Sequence, residues 1–114
     1  PKEEAIGDAM CSVEGIEART FAETLLVLKT ENRATILNEA IKALKSMSRA
    51  EQIRCIAWMC VIANADGFME KVEWQLIYKI YHKELSLLLE EVLSEQKKLS
   101  AACRPYLMTV SCAA

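Results

Sequence analysis

At 114 residues, 53% hydrophobic and with only 3 Gly and 2 Pro, the chain is long enough for one core and too apolar for disorder. A net charge of -2, with lysines and arginines spread along the chain, removes the electrostatic case for nucleic acid. The longest unbroken apolar run, Cys55 to Ala63, is too short to span a bilayer, so no transmembrane segment is expected.

Strand alternation is absent over any useful length, and helical spacing recurs throughout. The first helix is predicted from Lys2 to about Val13, with Ile6, Met10 and Val13 on one side and Glu14-Gly15 as its break. Thr20 is placed to cap a second helix, Phe21 to Lys29, with Phe21, Leu25 and Leu28 in register. Thr30 is placed to cap a third helix that runs to about Met47, its apolar stripe made by Ile36, Leu37, Ala40, Ile41 and Leu44.

Ser48-Arg49-Ala50-Glu51 reads as a capping box, Ser at the cap and Glu three residues on. It opens a fourth helix to about Ala65. A helix apolar on all sides is the buried centre of a bundle, and Cys55 to Ala63 has that character. A fifth helix follows Asp66-Gly67 and ends near Tyr81 or His82. A sixth spans about Glu84 to Leu99, with Leu85, Leu88, Leu89, Val92 and Leu93 inward. Ser100 opens a last one through Tyr106 and Val110, with Pro105 tolerated only near its start. The expected fold is all-α, a single compact bundle of about six or seven helices over residues 1–114. The chain begins at Pro1 and not Met, which leaves room for residues upstream. No charged-then-apolar leader stands at its start.

The five cysteines, Cys11, Cys55, Cys60, Cys103 and Cys112, include no C-x-x-C pair and have no histidine beside them. That argues against a zinc site or a disulfide framework and for reduced thiols, mostly in the core of a cytoplasmic protein. His82 is the single histidine. It reads as a charge partner for the end of the fifth helix. Without a second histidine, Cys-His and Ser-His-Asp chemistry have little to work with.

The acidic turn is where function is most visible. If the fifth helix starts at Asp66, rotation of about 100° per residue puts Met69, Val72, Leu76 and Ile80 on the core face. Asp66, Glu70 and Glu73 then share a sector within about 60° of one another. It borders the core stripe, with Trp74 and Tyr81 on its other side. Carboxylates at such an edge must be hydrogen-bonded, shifted towards protonation or neutralised by a cation. Three oxygen ligands suit Ca²⁺ or Mg²⁺, and Asn64 adds an amide oxygen. Helix capping explains Asp66 and Gly67 equally well, and Glu70 adequately. It explains Glu73 poorly, because that residue lies further into the helix.

Two motif resemblances compete here. In the EF-hand calcium loop, Asn64, Asp66, Gly67 and Glu73 take the third, fifth, sixth and twelfth positions, but the first ligand position holds Ile62. The other is carried by Ala65-Asp66-Gly67, five residues, then Glu73, between an apolar helix and an amphipathic one. With the Ser48-Arg49-Ala50-Glu51-Gln52 opening, this resembles the TerB-like (tellurite-resistance) family. The resemblance implies an all-α bundle that carries the motif twice and gathers its acids into a negatively charged site for divalent metal. Pro1-Lys2-Glu3-Glu4 fits the tail of the other copy, with Glu3 as its acid. The implied role is in stress or tellurite resistance, within a complex, in a bacterial cytoplasm.

The expected function is therefore a non-enzymatic helical binding module with a protein partner. Its metal or basic-partner site comprises Asp66, Glu70 and Glu73 with Glu3 and Asn64, and its cofactor is a divalent cation, Ca²⁺ or Mg²⁺. The alternatives are a metal-independent interaction scaffold and, in third place, an enzyme using paired carboxylates.

Overall fold

The computed structural model describes residues 2–65 and 70–113. Among them the helices are α1 (Lys2–Glu14), α2 (Ala18–Leu28), α3 (Arg33–Lys45), α4 (Arg49–Ala63), α5 (Lys71–Tyr78) and α6 (Leu89–Ala113). A π-helical turn, Lys79–Glu84, continues α5. The fold is an all-α bundle, as the helical spacing predicts.

α4 forms because Ser48 caps it. The Ser48 hydroxyl accepts from the Glu51 amide at 3.2 Å, and the Glu51 carboxylate returns to the Ser48 backbone, which completes the capping box. The helix is apolar on two sides and feeds two cores. Ile56 and Cys60 join Leu44, Ile77, Ile80, Tyr81, Leu87 and Val92. Ala57, Trp58 and Val61 join Ala9, Leu99 and Cys103. α4 accordingly packs on α1, α5 and α6, and α1 also packs on α6.

α1 ends at the predicted Glu14-Gly15 break. Gly15 adopts φ 73°, and the Ile16 amide bonds back to the Cys11 carbonyl at 2.8 Å. That is a glycine-closed helix terminus, where a side chain would be strained. Ile6, Met10 and Val13 pack on the second core as their spacing implies.

The remaining caps differ from the sequence reading. α2 begins at Ala18 and has Glu17, not Thr20, at its N-cap. Thr20 lies inside the helix, its carbonyl accepting from the Thr24 hydroxyl. Thr30 does not open α3; its hydroxyl donates to the Val27 carbonyl and finishes α2. Asn32 caps α3, its amide oxygen accepting from the Ala34 amide at 2.8 Å.

Two corrections follow from helix phase. The chain is extended at Glu70, and α5 starts at Lys71 and not Asp66. Ile80 is buried as expected, but its buried neighbours are Ile77 and Tyr81, at spacings of three and four, while Val72 is 74% exposed. Leu76 is exposed as well. Met69 of the expected stripe lies outside the described residues. Residues 86–88 are not helical, and α6 starts at Leu89. Leu87 is buried there instead of Leu88, and Leu93 faces solvent. From Leu89 the helix runs on through Ser100 and Pro105, so the two expected C-terminal helices are one. Ser100 caps nothing, and Pro105 stands inside the helix.

α2 is the least integrated element. It packs chiefly on α1, with Phe21 beside Gly7. Leu26 and Val27 are 63% and 60% exposed, and Leu25 is exposed too. The Cα radius of gyration, 14.4 Å, exceeds the roughly 13 Å expected of a chain this long.

Candidate functional site

The described residues on either side of Asp66 belong to the end of α4 and the start of α5. Asn64 is the C-cap of α4, its amide donating to the Cys60 carbonyl at 3.0 Å, and it is half-buried. Glu70 is the N-cap of α5 with φ -67° and ψ 151°; its side chain is exposed and makes no capping hydrogen bond. Glu73 lies in the first turn of α5, half-buried. Because Glu70 is extended, it and Glu73 do not share one helical sector. Asp66 lies outside the described residues. Of Glu3, its place in α1 is described and its side chain is not. Among the described residues, no three His, Cys, Asp or Glu side chains gather closely enough to hold a metal ion.

The apolar surroundings of Glu73 are better defined than its acidic neighbours. A groove of about 580 Å³ runs between α3 and α5, walled by Ala34, Ile36, Leu37, Ala40, Val72 and Leu76, with Arg33 and Glu73 as its charges. A second, of about 350 Å³, lies between α4 and α5 along Met59, Ile62, Ala63 and Ile77. Glu73 and Leu76 line both. Among the described residues, no hydrogen bond or ion pair reaches the Glu73 carboxylate. Half out of water and flanked by hydrocarbon, it is the kind of group that gains from a cation.

The aromatic margin is placed differently from the sequence reading. Tyr81 is 2% exposed and belongs to the core, where burial, reinforced by Tyr78 and Cys60, pushes its phenol up. Trp74 packs against that core, its ring centroid 6.2 Å from Tyr81. His82 is exposed in the π-helical turn and stacks on Tyr78, with centroids 5.0 Å apart.

The structure adds a polar node that the sequence reading missed. Arg54, from the middle of α4, donates to Glu14 at 2.5 Å and reaches Glu95 of α6 at 3.4 Å. Trp58 also donates its indole N–H to Glu14, at 2.5 Å. Burial pushes the Glu14 carboxyl up, but the bonds from Arg54 and Trp58 and the Arg54 charge outweigh it and hold the carboxyl low. The available signal was Arg54 itself, the single charge between Glu51 and Asp66 in an apolar helix. Its partners lie 40 and 41 residues away, beyond local pattern. The node overlooks a third groove, of about 550 Å³, lined by Met10, Ile16, Met47, Cys55, Met59 and Ile62 among others.

Cys11, Cys60 and Cys103 are buried and Cys55 is half-buried, all as free thiols. Burial raises each of them, Cys60 to about 11. That makes them poor nucleophiles at neutral pH.

No protein-family model, no curated protein and no solved structure matches this chain. No helix among the described residues is long and apolar enough to cross a membrane.

Proposed function

We propose that the chain is a non-enzymatic helical binding module whose Glu73 face takes a basic segment of a protein partner. The observation that carries this is Glu73 itself, half-buried, without a partner among the described residues, and forming the shared wall of two apolar grooves. Such a carboxylate gains most from a cation delivered on an apolar surface. An amphipathic helix with Lys or Arg beside its apolar stripe meets both needs. The resemblance to TerB-like domains supports the same region of the chain, and it implies a cytoplasmic role in bacterial stress or tellurite resistance.

A divalent cation, Ca²⁺ or Mg²⁺, held by Asp66, Glu70, Glu73, Asn64 and Glu3 is the second reading. It is favoured by Asn64 closing α4 and Glu70 opening α5, on either side of Asp66 in the sequence. The described donors do not by themselves make a cation site, so no chemistry is assigned to a metal.

Titration with a lysine-bearing amphipathic peptide, followed by tryptophan fluorescence, tests the leading reading. Glu73→Gln is expected to weaken binding by about tenfold, the effect of losing roughly one charge-assisted contact. Equal affinity in the variant would contradict it. Thermal stabilisation by Ca²⁺ or Mg²⁺ that Asp66→Ala/Glu73→Ala abolishes would favour the cation instead.

A further inference from the structure

We propose that two copies of this chain form a two-fold dimer in which α2 of each copy lies in the α3–α5 groove of the other. The inference rests on the preceding reading of the Glu73 face and names its occupant.

The first observation is a helix with an uncovered apolar face. α2 turns Phe21 towards α1 but leaves Leu25, Leu26 and Val27 in water. Lys29 follows Leu25 by four residues and Leu26 by three, so these side chains lie on one face. That face therefore presents leucines with an ammonium group at their end. Lys29 carries no ion pair among the described residues.

The second is a groove with the opposite needs. Ile36, Leu37, Val72 and Leu76 provide apolar walls, and its charges are Arg33 and Glu73, whose carboxylate has no partner among the described residues. Leu25 and Leu26 fit the walls, and Lys29 meets Glu73. The Lys29–Glu73 pairing is the charge match that points to the chain's own α2.

The third is position. Arg33, which lines the groove at the start of α3, follows Lys29 by four residues, a reach of at most about 14 Å. The C-terminal end of α2 and the Arg33 part of the groove are therefore neighbours within one copy. A two-fold axis beside the turn between α2 and α3 carries each helix into the other copy's groove. Both contacts form at once, and the assembly closes at two. Neither the uncovered face nor the groove remains for further growth.

Sedimentation velocity of the full chain, from low micromolar to near-millimolar concentration, tests the proposal. The wild type is expected to show a concentration-dependent dimer. Leu26→Glu and Val72→Glu alter exposed positions on the two surfaces and are each expected to weaken dimerisation by tenfold or more, with helicity by circular dichroism unchanged. A wild type that stays monomeric throughout would overturn the proposal, as would a dimer that both substitutions leave intact. Charge exchange provides a check independent of the leucine face. Lys29→Glu and Glu73→Lys should each weaken the dimer alone, and the doubly substituted chain should recover it. Failure to recover counts against the Lys29–Glu73 contact. A monomer that still binds a basic peptide through Glu73 would refute the dimer and leave the binding-module reading standing.

Discussion

Glu14 accepts from Arg54 and Trp58 and so ties the end of α1 to the middle of α4. Its carboxyl is held below the ordinary value of 4.5. A depressed carboxyl contributes stability that is complete above its unfolded value and lost as pH falls through its folded one. Glu14→Gln keeps an acceptor but removes the charge, at an expected cost of about 1 kcal/mol near neutral pH. Below the folded value both side chains are neutral, and the difference should vanish. Urea denaturation of both proteins across that range checks this; a constant difference would show that packing, not charge, carries the effect. At the turn before α6, Ser86 adopts φ 55° without being glycine. Ser86→Gly relieves that strain, and a gain of about 0.5 kcal/mol is expected after the added chain entropy is subtracted.

At the scale of the element, capping decides what the sequence makes legible. The box at Ser48 and Glu51 is readable because both halves lie within four residues. Ser48→Ala should cost about 1 kcal/mol, measurable as a shift in the thermal midpoint. Thr30 and Asn32 compete within three residues for one helix start, and local pattern does not rank them. Asn32 wins because the Thr30 hydroxyl already serves the preceding helix. The start of α5 fails for a related reason. The helix starts at Lys71 and is turned about its axis from the expected orientation, so the core face falls on Ile77, Ile80 and Tyr81, and Val72 faces out. That phase error placed Tyr81 beside the acids when it belongs to the core. Glu73 stood out in the sequence as a carboxylate two turns into the helix; with α5 starting at Lys71 it lies in the first turn, where the helix dipole accounts for it, and its two neighbouring apolar grooves are what single it out. Those grooves were not legible, since their walls come from α3 and α4 as well as α5.

Across the whole molecule, burial is concentrated around α4 and thins towards α2. Ile56 is fully buried, whereas Val72 is 74% exposed. Ile56→Ala should therefore cost about 2–5 kcal/mol. Val72→Ala should leave the monomer within about 0.5 kcal/mol of the wild type. Paired urea melts of the two variants check this gradient, and similar losses at both sites would contradict it. The apolar surface left around α2, α3 and α5 is the counterpart of that uneven core. Contiguous exposed apolar surface is how a binding face differs from scattered surface leucines.

The most direct test of that face is isothermal titration of the wild type and Glu73→Lys with two amphipathic helical peptides of one apolar pattern, one bearing lysines and the other glutamates. At concentrations where the chain is monomeric, the account predicts that the wild type binds the lysine peptide and that Glu73→Lys reverses the preference. The same preference in both proteins, or no binding by either, would contradict it.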